Sequence, residues 1–122
     1  SSYRRFIRRK QLAAGVYNII VEQGSSFAQK ITVKTDGTPK NLTGYSARAQ
    51  IRPTRTSATL TATFSCTVNP PSGEVLMNLS PDQTTGIAPG RYFYDLELYT
   101  SGDTVVSRIL QGEVTVSPEV TR

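Results

Sequence analysis

Hydrophobic and polar residues alternate with a period of two along most of this chain, the pattern of strands that rest one face on a core and turn the other to water. The clearest stretch is 90–99, where Tyr92, Tyr94, Leu96 and Leu98 share one face and Phe93, Asp95, Glu97 and Tyr99 share the other. Residues 105–110 form a second β-rich run after Thr100, Ser101, Gly102 and Asp103. Gly102 accepts a positive φ at little cost, so the two runs predict an antiparallel hairpin. Counted outward from a two-residue turn at Ser101 and Gly102, Asp95 falls opposite Arg108 on the outer face, where opposite charges support a register.

The rest of the chain reads the same way. Residues 16–22 are β-rich and end at Gly24; in 27–34, Phe27, Gln29, Ile31 and Val33 alternate with Lys30, Thr32 and Lys34. Asp36 and Gly37 open a turn that runs to Pro39. In 45–52 the inner set is Tyr45, Ala47, Ala49 and Ile51, which turns Arg48 and Arg52 outward. Pro53 and the Thr/Ser-rich residues to Ala58 form a loop, because proline cannot donate to a ladder. Leu60, Ala62, Phe64, Cys66 and Val68 then share a face, and after the break at Pro70, Pro71 and Gly73 so do Val75, Met77 and Leu79. Ser80 reads as the N-cap of one helical turn, with Pro81 at its first position and Asp82 at its positive end. Val114 and Val116 follow Gly112, which reads as a bulge on a strand at the sheet edge.

The turns recur at the interval of sandwiches and barrels, which predicts an all-β antiparallel sandwich of about seven strands. A capped turn followed by Gly90, Arg91 and Tyr92 resembles the tyrosine corner of immunoglobulin-like sandwiches, in which a Tyr hydroxyl bonds back to the preceding connection. Tyr94 stands where an antibody domain has its second Cys. A plain strand aromatic at Tyr92 is the alternative.

Composition removes most catalytic chemistry. The 122 residues include no His and no Trp and a single Cys, so neither an internal disulfide nor a zinc site of the usual Cys/His kind is expected. Cys66 reads as a small core hydrophobe. Asp95 and Glu97 are a close acidic pair on one strand face, at a spacing of about 7 Å, but Arg108 opposite Asp95 favours a salt-bridged surface over glycoside hydrolysis. There is no phosphate-cradling glycine motif. No enzymatic activity, cofactor or metal is expected. No apolar run approaches the roughly 20 residues a bilayer requires, so the expectation is a soluble protein made inside a cell.

The net charge of +5 has one location: five of the 14 basic residues lie in the first ten positions. This divides the chain into a basic arm at 1–14 and a folded domain at 15–122. The arm carries Tyr3, Phe6 and Ile7 among Arg4, Arg5, Arg8, Arg9 and Lys10. Three apolar anchors among five charges favour docking on a neighbouring subunit, ahead of a solvated tail, a phosphate-backbone contact or an anionic membrane surface. These eight residues are the candidate partner-binding site.

Several segments together resemble a family of small β-sandwich structural proteins of tailed-bacteriophage virions: 23–27, 41–52, 89–98 and 108–122. The similarity spans residues 16–122 and rests on the order and spacing of the segments. It implies a non-enzymatic virion component of the tail, baseplate or fibre attachment, synthesised in the host cytoplasm. Its partners would be other virion proteins, present in multiple copies in a symmetric assembly, with nucleic acid and membrane disfavoured. The alternatives are a capsid cement or decoration protein, and a carbohydrate- or nucleic-acid-binding sandwich module.

Overall fold

A computed structural model of the chain describes residues 15–120. The described residues form an all-β protein with strands β1 (Gly15–Val16), β2 (Ile19–Glu22), β3 (Phe27–Thr32), β4 (Lys34–Thr35), β5 (Thr38–Pro39), β6 (Ser46–Arg52), β7 (Ala62–Asn69) and β8 (Glu74–Leu79). The short helix α1 (Pro81–Thr85) then leads to β9 (Gly90–Tyr99) and β10 (Val106–Ser117).

Eight strands make one curled sheet in the order β1-β10-β9-β6-β7-β8-β3, with β2 also on β10, and β4 and β5 form a separate ribbon. Strand β7 serves both halves of the curl. Its Ala62, Thr63 and Phe64 pair with β6, and the residues from Ser65 to Asn69 pair with β8. The core lies inside the curl, with Val21, Ile51, Val75, Met77, Leu96 and Val114 fully buried. Ala49, Ile51, Val75, Met77, Leu79, Tyr94, Leu96 and Leu98 all take the inner positions that the period-two pattern assigns them.

The sheet is mixed, which corrects the wholly antiparallel expectation: β1 and β2 both run parallel to β10. Alternation dictates which side chains are buried and says nothing of a neighbour's direction. Strand β10 is consequently internal, lying between β9 and the N-terminal strands, and Val114 and Val116 are buried. The expected single strand at 16–22 is broken at Tyr17 and Asn18. There the Tyr17 N–H donates to the Gln111 carbonyl at 2.9 Å, and the Glu113 N–H donates to Asn18 Oδ1 at 3.0 Å in place of a ladder bond.

The β9–β10 connection also differs from the expected two-residue turn. It spans Thr100 to Val105, closed by the Thr100 N–H on the Val105 carbonyl at 3.0 Å, with Asp103 at φ 56°. Aspartate tolerates this left-handed conformation, which lets the loop lengthen past Gly102. Arg108 therefore faces Glu97, and a register shift between Arg108 and Leu110 brings Gln111 opposite Asp95. The bulge lies there and not at Gly112.

Helix α1 starts as the residues predict. The Gln83 N–H donates to Ser80 Oγ at 3.2 Å and the Ser80 N–H donates to Gln83 Oε1 at 2.9 Å, a reciprocal capping box. Gln83 Nε2 also donates to the Thr63 carbonyl at 2.9 Å, tying the helix to β7. Just beyond, Tyr92 Oη donates to the Ala88 carbonyl at 2.7 Å, the backward bond expected of it. Tyr92→Phe removes one hydrogen bond and no volume, and is expected to cost about 1 kcal/mol in urea unfolding. A change indistinguishable from zero would reduce Tyr92 to a strand aromatic.

Candidate functional site

Because side chains alternate, the outer faces of β6, β9 and β10 bring together residues far apart in sequence. Arg48, Gln50 and Arg52 come from β6, Phe93, Asp95 and Glu97 from β9, and Arg108 and Gln111 from β10. They line a groove of about 450 Å³. Its far wall is the loop after β6, which folds back because the Thr61 N–H donates to the Ile51 carbonyl at 2.8 Å. Arg52 holds that loop, with Nη1 donating to the Ala58 carbonyl at 2.9 Å and Nη2 donating to Gln50 Oε1 at 2.8 Å. Arg55, carried on the loop, lies over the Phe93 ring at 4.8 Å from its centre.

The charges are partly satisfied within the groove. Arg48 Nε donates to Glu97 Oε1 at 2.9 Å, reaches Asp103 at 3.4 Å and stacks over Tyr99 at 4.5 Å. Arg108 meets Asp95 Oδ2 at 3.3 Å, so the expected ion pair forms, but diagonally across the strands. The groove thus has four guanidinium groups against two carboxylates. Among the described residues, Arg52 and Arg55 make no ion pair with a carboxylate. Burial raises the Asp95 pKa above the usual carboxylate range and the Glu97 charge adds to the rise, while Arg108, Arg52 and Arg48 oppose it.

Each member of the Asp95 and Glu97 pair is held by an arginine. The signal for the groove was present in the outward positions of Arg48 and Arg52. Arg55 was missed because it lies in a loop, where no periodicity assigns a direction. The expected partner-binding residues Tyr3, Arg4, Arg5, Phe6, Ile7, Arg8, Arg9 and Lys10 lie outside the described residues. Among those described, no group of three His, Cys, Asp or Glu side chains could hold a metal ion, and no helix is long and apolar enough to cross a membrane.

Cys66 is half-buried beside the core, and burial pushes its thiol from the ordinary 9.0 up to about 11. Unfolding should therefore raise the thiolate fraction at pH 8, and with it the rate of iodoacetamide labelling, by about a hundredfold. Equal labelling rates in native and denatured protein, followed by mass spectrometry, would contradict the packed position.

No family model matches the chain. No curated protein matches it significantly.

Proposed function

We propose that this protein is a non-enzymatic structural component of a tailed-bacteriophage virion, a tail, baseplate or fibre-attachment subunit that assembles through its N-terminal arm and sheet edges. The observation that carries the reading is the edge at which the arm joins the fold. Residue 15 opens β1 on the outer side of β10, and there Val16 and Ile20 are 71% and 68% exposed. Apolar side chains on an exposed edge beside an arm with three apolar anchors suit a neighbouring subunit better than water. The segment resemblance over residues 16–122 supports the same reading.

An immunoglobulin-like sandwich is the fold we infer within the all-β class. Such domains place strands A, B, E and D on one sheet and C, F and G on the other. The neighbours β3-β8-β7 correspond in chain order to B, E and D, and β6-β9-β10 to C, F and G. The Tyr92 bond to Ala88, near the start of the strand in the F position, supports this assignment.

The test compares the full chain with a form lacking residues 1–14, by light-scattering mass and by recovery in assembled particles. A folded truncated domain that fails to join particles supports the arm as tether. Normal incorporation of the truncated form would move assembly to the sheet edges, and absence of the full chain from particles would overturn the virion reading. Recovery with separated capsids instead of tails would assign a shell-decorating role.

A further inference from the structure

The groove on the outer face of β6, β9 and β10 has no part in the assembly reading, and its chemistry is specific. Among the described residues, Arg52 and Arg55 make no salt bridge with a carboxylate while Arg48 and Arg108 do, although the Arg52 charge still acts on Asp95. Arg52 is fixed by the loop carbonyls and by Gln50 Oε1 before any ligand arrives, and Arg55, exposed on the loop, rests over the Phe93 ring. A planar guanidinium presents paired N–H donors that match a carboxylate. Held donors of this kind lose little freedom on binding.

The floor that runs from them along β9 narrows the choice of anion: Arg52 stands opposite Phe93, Asp95 opposite Gln50 and Glu97 opposite Arg48. Asp95 and Glu97 each give one oxygen to an arginine, Oδ2 and Oε1 respectively. Their remaining oxygens can accept hydrogen bonds, which ring hydroxyls supply and phosphodiesters do not. Gln50 and Gln111 add amide groups that can donate as well as accept. A volume of about 450 Å³ suits a small ligand or a few units of a chain, not a duplex. A ligand that offers a carboxylate to the arginines and hydroxyl donors to the acids suits this lining.

We propose that this groove is a binding site for an acidic saccharide, a polyhydroxylated ring bearing a carboxylate, such as a uronic-acid unit of a polysaccharide. Arg52 and Arg55 take the carboxylate and Asp95 accepts from hydroxyls of the same ring, while Glu97, four residues and roughly 13 Å along the strand from Phe93, accepts from the next unit of the chain. Partial desolvation of Asp95, which raises its pKa, is consistent with a floor already withdrawn from bulk water. The site is independent of the arm and of the virion reading.

The test is titration of the full-length protein with trigalacturonate, followed by backbone amide NMR and calorimetry. Maltotriose, an oligothymidylate and a tetraglutamate peptide serve as competing chemistries. The expected result is saturable binding of trigalacturonate, with shifts centred on residues 48–55 and 93–97. Arg55→Gln should weaken it about tenfold or more, since one charge-assisted, two-bond contact is lost. Arg55 is exposed on a loop and touches only the Phe93 ring among the contacts described, so the variant should fold. Arg52→Lys keeps the charge, loses the fork and is expected to weaken binding as well. The proposal is overturned if trigalacturonate produces no shifts, or if maltotriose binds equally well. It is also overturned if the oligothymidylate or the glutamate peptide binds more tightly through Arg55, since the groove would then be a phosphate or protein-docking surface.

Discussion

Gly112→Ala is expected to lower the unfolding free energy by about 3 kcal/mol and to free the N-terminal strands for proteolysis. A Cβ at this position would lie 2.2 Å from the Tyr17 carbonyl oxygen and 2.8 Å from its carbon, both backbone atoms that cannot rotate away. Gly112 has no unusual φ; its role is close approach. Relief of the clash requires the chain at Tyr17 to move outward. That movement would stretch the Tyr17 N–H bond to Gln111 and the 2.6 Å bond from Tyr94 Oη to the Tyr17 carbonyl. It would also pull Asn18 Oδ1 from the Glu113 N–H. Urea unfolding gives the loss, and limited proteolysis followed by mass spectrometry locates it near residues 15–22. A variant as stable as the parent would mean that the N-terminal strands do not seat on β10 as described.

The second large effect is expected at Thr84, the one buried polar residue among those described. Its Oγ1 accepts from the Gly24 N–H at 3.0 Å and donates to the Ser25 carbonyl at 2.8 Å, joining α1 to the β2–β3 turn. Around it, Gln23 Nε2 donates to the Ile87 carbonyl and Gln23 Oε1 accepts from the Glu119 N–H, so one end of the domain is closed by polar contacts. Thr84→Val keeps the shape and removes the hydroxyl, leaving a donor and an acceptor unpaired. The expected cost is about 2–3 kcal/mol in urea unfolding, with Thr84→Ser recovering most of it. A Val variant as stable as the parent, with the loss confined to the Ser variant, would assign the effect to the methyl group and overturn the hydrogen-bond account.

These two residues also mark what the sequence made legible. Period-two alternation was enough to assign the inner faces of β6, β8 and β9, because burial is a property each strand carries in its own residues. The cap of α1 was equally local, written in Ser80 and Pro81. Partner choice was not local. That β1 and β2 lie parallel to β10 depends on Tyr17 and Asn18 meeting Gly112, almost a full chain length away, and no periodicity encodes such a meeting. Thr84 looks like Thr85 in the sequence; only the β2–β3 turn folding over α1 buries one and leaves the other exposed. The β9–β10 register failed for a related reason. The turn was placed on Gly102, whereas Asp103 also takes a left-handed conformation and lengthens the loop.

The candidate site shows the same division. The outward arginines of β6 and the acids of β9 could be placed from their own strands. Their convergence into a groove required the β6-β9-β10 order and the folded-back loop that brings Arg55 onto Phe93.

The parallel seating of the first strands on the last has a mechanical consequence. Gly15 and Val16 pair with Leu110 and Gln111, and the four residues of β2 pair with Val114 to Ser117, so the two ends of the domain leave adjacent strands in opposite directions. Tension between those ends would slide the strands along each other and load their hydrogen bonds together, whereas an antiparallel terminal pair would unzip one bond at a time. A domain built this way resists stretching along its own chain, and a pull applied between residues 15 and 117 would be borne by all of these bonds at once.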